Sequence, residues 1–159
     1  MKNLENYKKL KKETNDYYNN IKTIYSPFLK EKINFTAEGF NHIIYKTART
    51  ERERSSQILR FKLLPLACKL IKISTTYQEY EKNIKNIIVK KRKKKTNISQ
   101  PIIYWGVIAI INNHKIKVIL RKIGKNGNIH FWSIIPAWTT NKYRDVKFYT
   151  TMKGNPDQD

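Results

Sequence analysis

Apolar residues recur at Leu4, Tyr7 and Leu10, and again at Tyr17, Ile21 and Ile24, inside an otherwise polar segment. This spacing predicts a weakly amphipathic helix over residues 1–24. Ser26-Pro27 ends it, and Ile33-Asn34-Phe35 forms a short strand candidate. Thr36 is placed to cap a second helix, Ala37 to Tyr45, whose interior Gly39 weakens it. After a charged connection from Arg49 to Arg54, Leu59, Leu63, Leu66, Leu70 and Ile73 follow at helical spacing. They predict a core-facing stripe, and Pro65 within it predicts a kink or a division into two helices. Thr75 to Tyr80 is β-prone and is expected to be the first strand of a sheet.

Beyond residue 100 the apolar period changes to two. Tyr104–Ile111, Lys115–Ile123 and Asn128–Ile135 read as three strands. Asn112-Asn113 suits a two-residue turn, and Gly124 to Gly127 a longer one. The pattern predicts an α+β fold, with N-terminal helices packed on one face of a late, mainly antiparallel β-sheet. It divides the chain into an N-terminal helical extension (1–30), an α+β domain (31–138) and a C-terminal tail (139–159), loose from Lys153 onward.

Side chains alternate across a strand, so register decides which groups share a face. Placing Ile111 opposite His114 pairs Val107 with Val118, Trp105 with Leu120, Tyr104 with Arg121 and Ile108 with Lys117. Placing Ile123 opposite Asn128 pairs Leu120 with Phe131, Arg121 with His130, Ile119 with Trp132 and Ile116 with Ile135. Ile116, Val118 and Leu120 then point to the core, and Ser133 falls on the core face. Tyr104, Lys117, Arg121, His130 and Trp132 gather on the opposite face.

Charge narrows the partner. The 159 residues hold 33 Lys and Arg against 12 Asp and Glu, a net charge of +21. Residues 82 to 144 contain fifteen cations and no carboxylate. Paired-carboxylate catalysis and an oxygen-rich Mg²⁺ or Ca²⁺ site are therefore excluded within that stretch alone. Cys68 is the single cysteine, which excludes an internal disulfide and a cysteine-rich zinc site. No cofactor or metal is expected. An acid-free basic surface gathers phosphates, so the expected partner is RNA or another polyanion. Lys90, Lys91, Arg92, Lys93, Lys94 and Lys95 form an unbroken cationic run, expected at an exposed loop or hairpin end as an electrostatic contact. The longest apolar run, Ile102 to Ile111, is too short to span a bilayer as a helix. No classical signal peptide is visible. A cytoplasmic protein, or an effector delivered without such a signal, is the expectation.

The clustered side chains suit RNA chemistry. Tyr104 and Trp132 offer rings for base stacking, and Lys115 joins them as a nucleic-acid contact. Lys117 and Arg121 would hold a phosphodiester and stabilise the developing phosphorane. His130 titrates near neutrality and suits general acid–base work. His42, on the Ala37–Tyr45 helix, is either a core-edge residue or one that reaches the sheet's rim. Cys68 reads as helix core.

Helices followed by a late basic sheet ending in His130-Phe131-Trp132-Ser133, with Phe35-Thr36-Ala37-Glu38-Gly39-Phe40-Asn41-His42 as strand-to-helix opening, resemble a known superfamily. It is that of the barnase, EndoU, colicin and RelE-like ribonucleases, including phage- and toxin-borne members. The resemblance covers about residues 33 to 136. It implies metal-independent RNA cleavage on the open sheet face through attack by the RNA's own 2′-hydroxyl. It also implies Arg121 and His130 as central residues, with Lys117, His42 and Ser133 as further members. Two departures stand: no carboxylate in the sheet to play a barnase-like base, and the parity of Ser133. A non-catalytic nucleic-acid-binding protein is the alternative. A third reading is a basic protein that binds an acidic partner, such as an immunity or antitoxin protein.

Overall fold

In the computed structural model of the chain, residues 2–140 and 146–148 are described. Lys22 takes a φ of 62° and stops helix α1 (Lys2–Ile21). Residues expected to finish that helix instead form strand β1 (Thr23–Ser26), which hairpins into β2 (Glu31–Asn34). Helix α2 (Ala37–Ile44) follows, with Thr36 at its N-cap position but making no side-chain cap hydrogen bond. Tyr45, expected to end this helix, instead begins a small hairpin of β3 (Tyr45–Thr47) and β4 (Thr50–Glu51), and the charged stretch from Arg49 covers its turn and β4.

Helix α3 (Arg54–Ile73) is one element. Pro65 does not divide it, because this residue lies on the solvent side. The buried face is also broader than the leucine stripe. It centres on Phe61, Leu64, Ala67, Cys68 and Ile71, while Ile73 is exposed. The breadth arises because α3 packs against α1 as well as the sheet. Tyr7 of α1 donates its hydroxyl hydrogen to Gln57 of α3, and Arg60 of α3 donates to the Ile134 carbonyl in the sheet.

Four long strands follow: β5 (Glu79–Lys91), β6 (Lys94–Ile111), β7 (His114–Ile123) and β8 (Ile129–Thr140). The first sheet strand expected at Thr75–Tyr80 is corrected: residues 75–78 are irregular and the strand begins at Glu79. A short β9 (Val146–Phe148) pairs with β8. The strands form a seven-stranded sheet in the order β1-β2-β8-β7-β6-β5, with β9 off this path on β8. Every pairing is antiparallel except that of β2 with β8, where Asn34 stands opposite His130. The fold is α+β.

The main core lies between the helices and one sheet face, joining Tyr18, Phe40, Ile43, Leu64 and Ile71 to Val107, Val118, Leu120 and Phe131. Residues of the 1–30 segment share this core through Tyr7, Tyr18 and Ile24. The aromatic hub is Tyr18, whose ring contacts Phe35, Phe40 and Phe131. Of the expected tail 139–159, β8 and β9 account for residues 139–140 and 146–148, and the loose end from Lys153 lies outside the described residues.

Candidate active site beside helix α2

The first expected hairpin register is the observed one: Tyr104↔Arg121, Val107↔Val118, Ile108↔Lys117 and Ile111↔His114. Asn112 and Asn113 close it with φ of 49° and 66°, the positive pair a two-residue turn requires. The second register holds near its turn, with Leu120↔Phe131 and Arg121↔His130. It then shifts. Ile119 pairs with Ser133 instead of Trp132, and Ile116 with Pro136 instead of Ile135. Trp132 is the extra residue of a β-bulge, and a bulge re-aims the side chains beyond it. Ser133 therefore joins the face of Ile119, not the core face, and is buried there.

Four of the expected residues meet: His42, Arg121, His130 and Trp132. Arg121 Nε donates to His130 Nε2 at 2.9 Å, and the guanidinium carbon lies 3.5 Å from the centre of the Trp132 ring. Its Nη2 donates to Glu38 Oε2 at 2.8 Å. Helix α2 supplies both Glu38 and His42, and the His42 ring centre is 4.4 Å from that of Trp132. Glu38, His42, Arg121 and Trp132 line a cleft of about 560 Å³ together with Tyr45, Lys46 and Thr47 of β3, and His130 is not among its lining residues but connects to it through Arg121.

Gly39 permits this approach. A Cβ there would lie 2.6 Å from the Phe131 carbonyl oxygen, and it would overlap the Tyr18 hydroxyl. Only glycine lets α2 sit this close to β8.

His130 is half-buried. Burial holds its imidazole below the ordinary value of 6.5, and the Arg121 cation adds to the effect. Glu38 and a hydrogen bond with the Asn128 backbone oppose them. Since Nε2 accepts from Arg121, Nδ1 is the nitrogen that carries the proton of the neutral ring.

Other expected members stand apart. Tyr104 is 3% exposed and packs with Ile102, Ile119 and Ile135, so it offers no ring for stacking. Lys117 is 3% exposed, with Nζ 3.0 Å from Glu79 Oε2. It lines a separate hollow with Glu79, Glu81 and Tyr104. Lys115 is half-buried opposite Ile110 and does not line the cleft. Lys90 to Lys95 form the end of the β5–β6 hairpin.

The face is not free of carboxylates: Glu38 and Glu79, both outside the acid-free stretch, fold onto it beside Arg121 and Lys117. Sequence reasoning passed over both. The one signal for Glu38 was its position four residues before His42, a spacing that puts the two on one helix face.

Among the described residues, no group of three or more His, Cys, Asp and Glu could hold a metal ion, and no helix is long and apolar enough to cross a membrane. No protein family, curated protein or solved structure matches the chain. The site's own chemistry is what speaks to its use: an imidazole, an indole and a guanidinium with its carboxylate partner line the cleft, and the guanidinium joins them to a second imidazole.

Proposed function

We propose that the protein is a metal-independent endoribonuclease of the toxin or phage-effector kind, acting on RNA in the cleft beside α2. The observation that supports this most is the Glu38–Arg121–His130 chain, which ends in an imidazole held below its ordinary value and lies next to His42 and Trp132. A neutral imidazole at neutral pH suits a general base. Its Nε2 lone pair is occupied by Arg121. A substrate phosphate that draws the guanidinium toward itself frees that lone pair and gains the positive charge in one movement.

His130 then takes the proton of the 2′-hydroxyl as its oxygen bonds to phosphorus. The bond from phosphorus to the 5′-oxygen breaks, and His42 supplies the proton that oxygen needs. The products are a 2′,3′-cyclic phosphate and a 5′-hydroxyl. Glu38 holds Arg121 in line, and Trp132 gives the guanidinium a flat surface. The overall +21 draws the polyanion in.

One observation favours the non-catalytic alternative: Arg121 is already engaged by Glu38, His130 and Trp132, as a purely structural arginine would be. A cleavage assay separates the two readings. In excess EDTA the protein is expected to cut RNA to cyclic-phosphate ends. His130→Ala and Arg121→Ala should each lose about 10²-fold or more of that activity. Salt-sensitive binding with no cleavage would replace the enzyme reading with the binding one.

A further inference from the structure

The β5–β6 hairpin outruns its neighbour. β7 pairs with β6 only from Ile102 to Ile111, whereas pairing between β5 and β6 continues through Ile84↔Pro101 to Lys91↔Lys94. These eight paired levels form a two-stranded ribbon roughly 24 Å long, at about 3.4 Å per residue. Arg92 and Lys93 close its tip with φ of 48° and 67°. A tight two-residue turn therefore fixes where the terminal cations point.

Such a ribbon is marginal alone, and its described isoleucines Ile84, Ile88 and Ile98 are exposed. Ile84 is 76% exposed and Ile88 64%. They share one face, being four residues apart on a strand. From Ile84 to Pro101 the arm has seven cations and no carboxylate, so its surface is complementary to a polyanion. From Ile84 to Pro101 it has no aromatic residue. Proteins that hold single strands rely on aromatic rings to stack the bases, and this arm has none to offer. It carries amides instead, and Asn86 and Asn97 lie on the face of Ile84 and Ile88.

We infer that the β5–β6 arm docks double-stranded RNA. The minor groove of an A-form helix is wide and shallow and displays 2′-hydroxyls and sugars. Amide side chains match the hydroxyls, and Ile84 and Ile88 match the sugar faces. The Lys90–Lys95 tip reaches the phosphates that border the groove. The inference rests on the RNA reading above for the identity of the polymer, and not on cleavage. It assigns base-paired RNA as the substrate class and the arm as its holding surface.

The test uses the full chain carrying His130→Ala, so that any substrate stays intact. Binding is measured against an RNA duplex of about 20 bp, one of its single strands, and a DNA duplex of the same sequence. The RNA duplex should bind about tenfold more tightly than either competitor. R92N/K93G keeps a good turn and removes two cations. It should weaken duplex binding about tenfold and lower the slope of log affinity against log salt by about two. I84S/I88S should reduce the preference for RNA duplex over DNA duplex while leaving the salt slope unchanged. Equal or tighter binding of single strands or DNA overturns the inference. So does R92N/K93G with unchanged affinity, or I84S/I88S that alters only the oligomeric state, which would assign the face to a second copy of the chain. Arm-dependent duplex binding without any cleavage would leave this inference standing and remove the nuclease reading. Cleavage with arm-independent duplex binding would do the reverse.

Discussion

Substituting Gly39 by Ala sets two physical effects against each other. In a helix interior, alanine is favoured over glycine by about 1 kcal/mol. At this position the added carbon would lie 2.6 Å from the Phe131 carbonyl oxygen and against the Tyr18 hydroxyl. Ordinary contacts of a Cβ begin near 3.4 Å, so α2 must retreat from β8 by roughly 0.8 Å in a close-packed interior. Overpacking of that kind costs about 1–3 kcal/mol. Tyr18 is 1% exposed, and its hydroxyl donates to the Thr36 carbonyl at 2.7 Å. Pushing it aside puts a further hydrogen bond at risk, at about 1–3 kcal/mol if the group is left buried without a partner. The net expectation is a loss of about 2 kcal/mol, which lowers the melting temperature by about 4–8 °C for a chain of this size. The same retreat carries Glu38 and His42 away from Arg121 and Trp132, so the cleft should loosen with the fold. Urea and thermal unfolding measure the stability, and the imidazole signals in an NMR spectrum report the cleft. A Gly39→Ala protein as stable as wild type, or more stable, would refute the reasoning, since helix propensity alone would then govern the site.

The charged groups give further expected outcomes. His130 titrates below 6.5 in the folded chain. As pH falls below 6.5, the unfolded state therefore takes up a proton that the folded state resists, and stability drops. Its contribution is fully present above pH 6.5 and lost below. Melting temperature against pH should show this slope for wild type and a shallower one for His130→Asn. Because Glu38 supports the charged imidazole, Glu38→Gln should lower the His130 titration midpoint further, and an NMR titration that finds it raised would contradict the assigned geometry. At the second pair, the Lys117 side chain is 4% exposed and that of Glu79 48%. Glu79→Gln takes the carboxylate from a buried cation, whereas Lys117→Met leaves a carboxylate that water still reaches. The first should destabilise more than the second in matched urea titrations, and the opposite order would remove the pair as the reason for that lysine's burial.

Turn chemistry and strand alternation are short-range, and they were legible. Asn112-Asn113 predicts a turn that sets ten paired positions of β6 and β7. The cationic run from Lys90 to Lys95 does end a hairpin. Arg121 does face His130. The helix boundaries were less legible. Lys22 stops α1 through a positive φ that no glycine announces, and Pro65 is tolerated where water can satisfy the carbonyl that loses its partner.

What the chain determined by itself is the basic sheet, its first hairpin register, and the placing of Arg121 and His130 side by side. These arise from a period of two and from local dihedral preferences, which act over a few residues. The tertiary structure decided the rest of the site. A single extra residue at Trp132 moved Ser133 to the other face, a slip that apolar alternation does not register. Burial withdrew Tyr104 and Lys117 from the cleft. Glu38 reached Arg121 across 83 positions of sequence, because a glycine let α2 close on β8. Contacts of that span depend on how the layers pack, and packing is a property of the assembled chain.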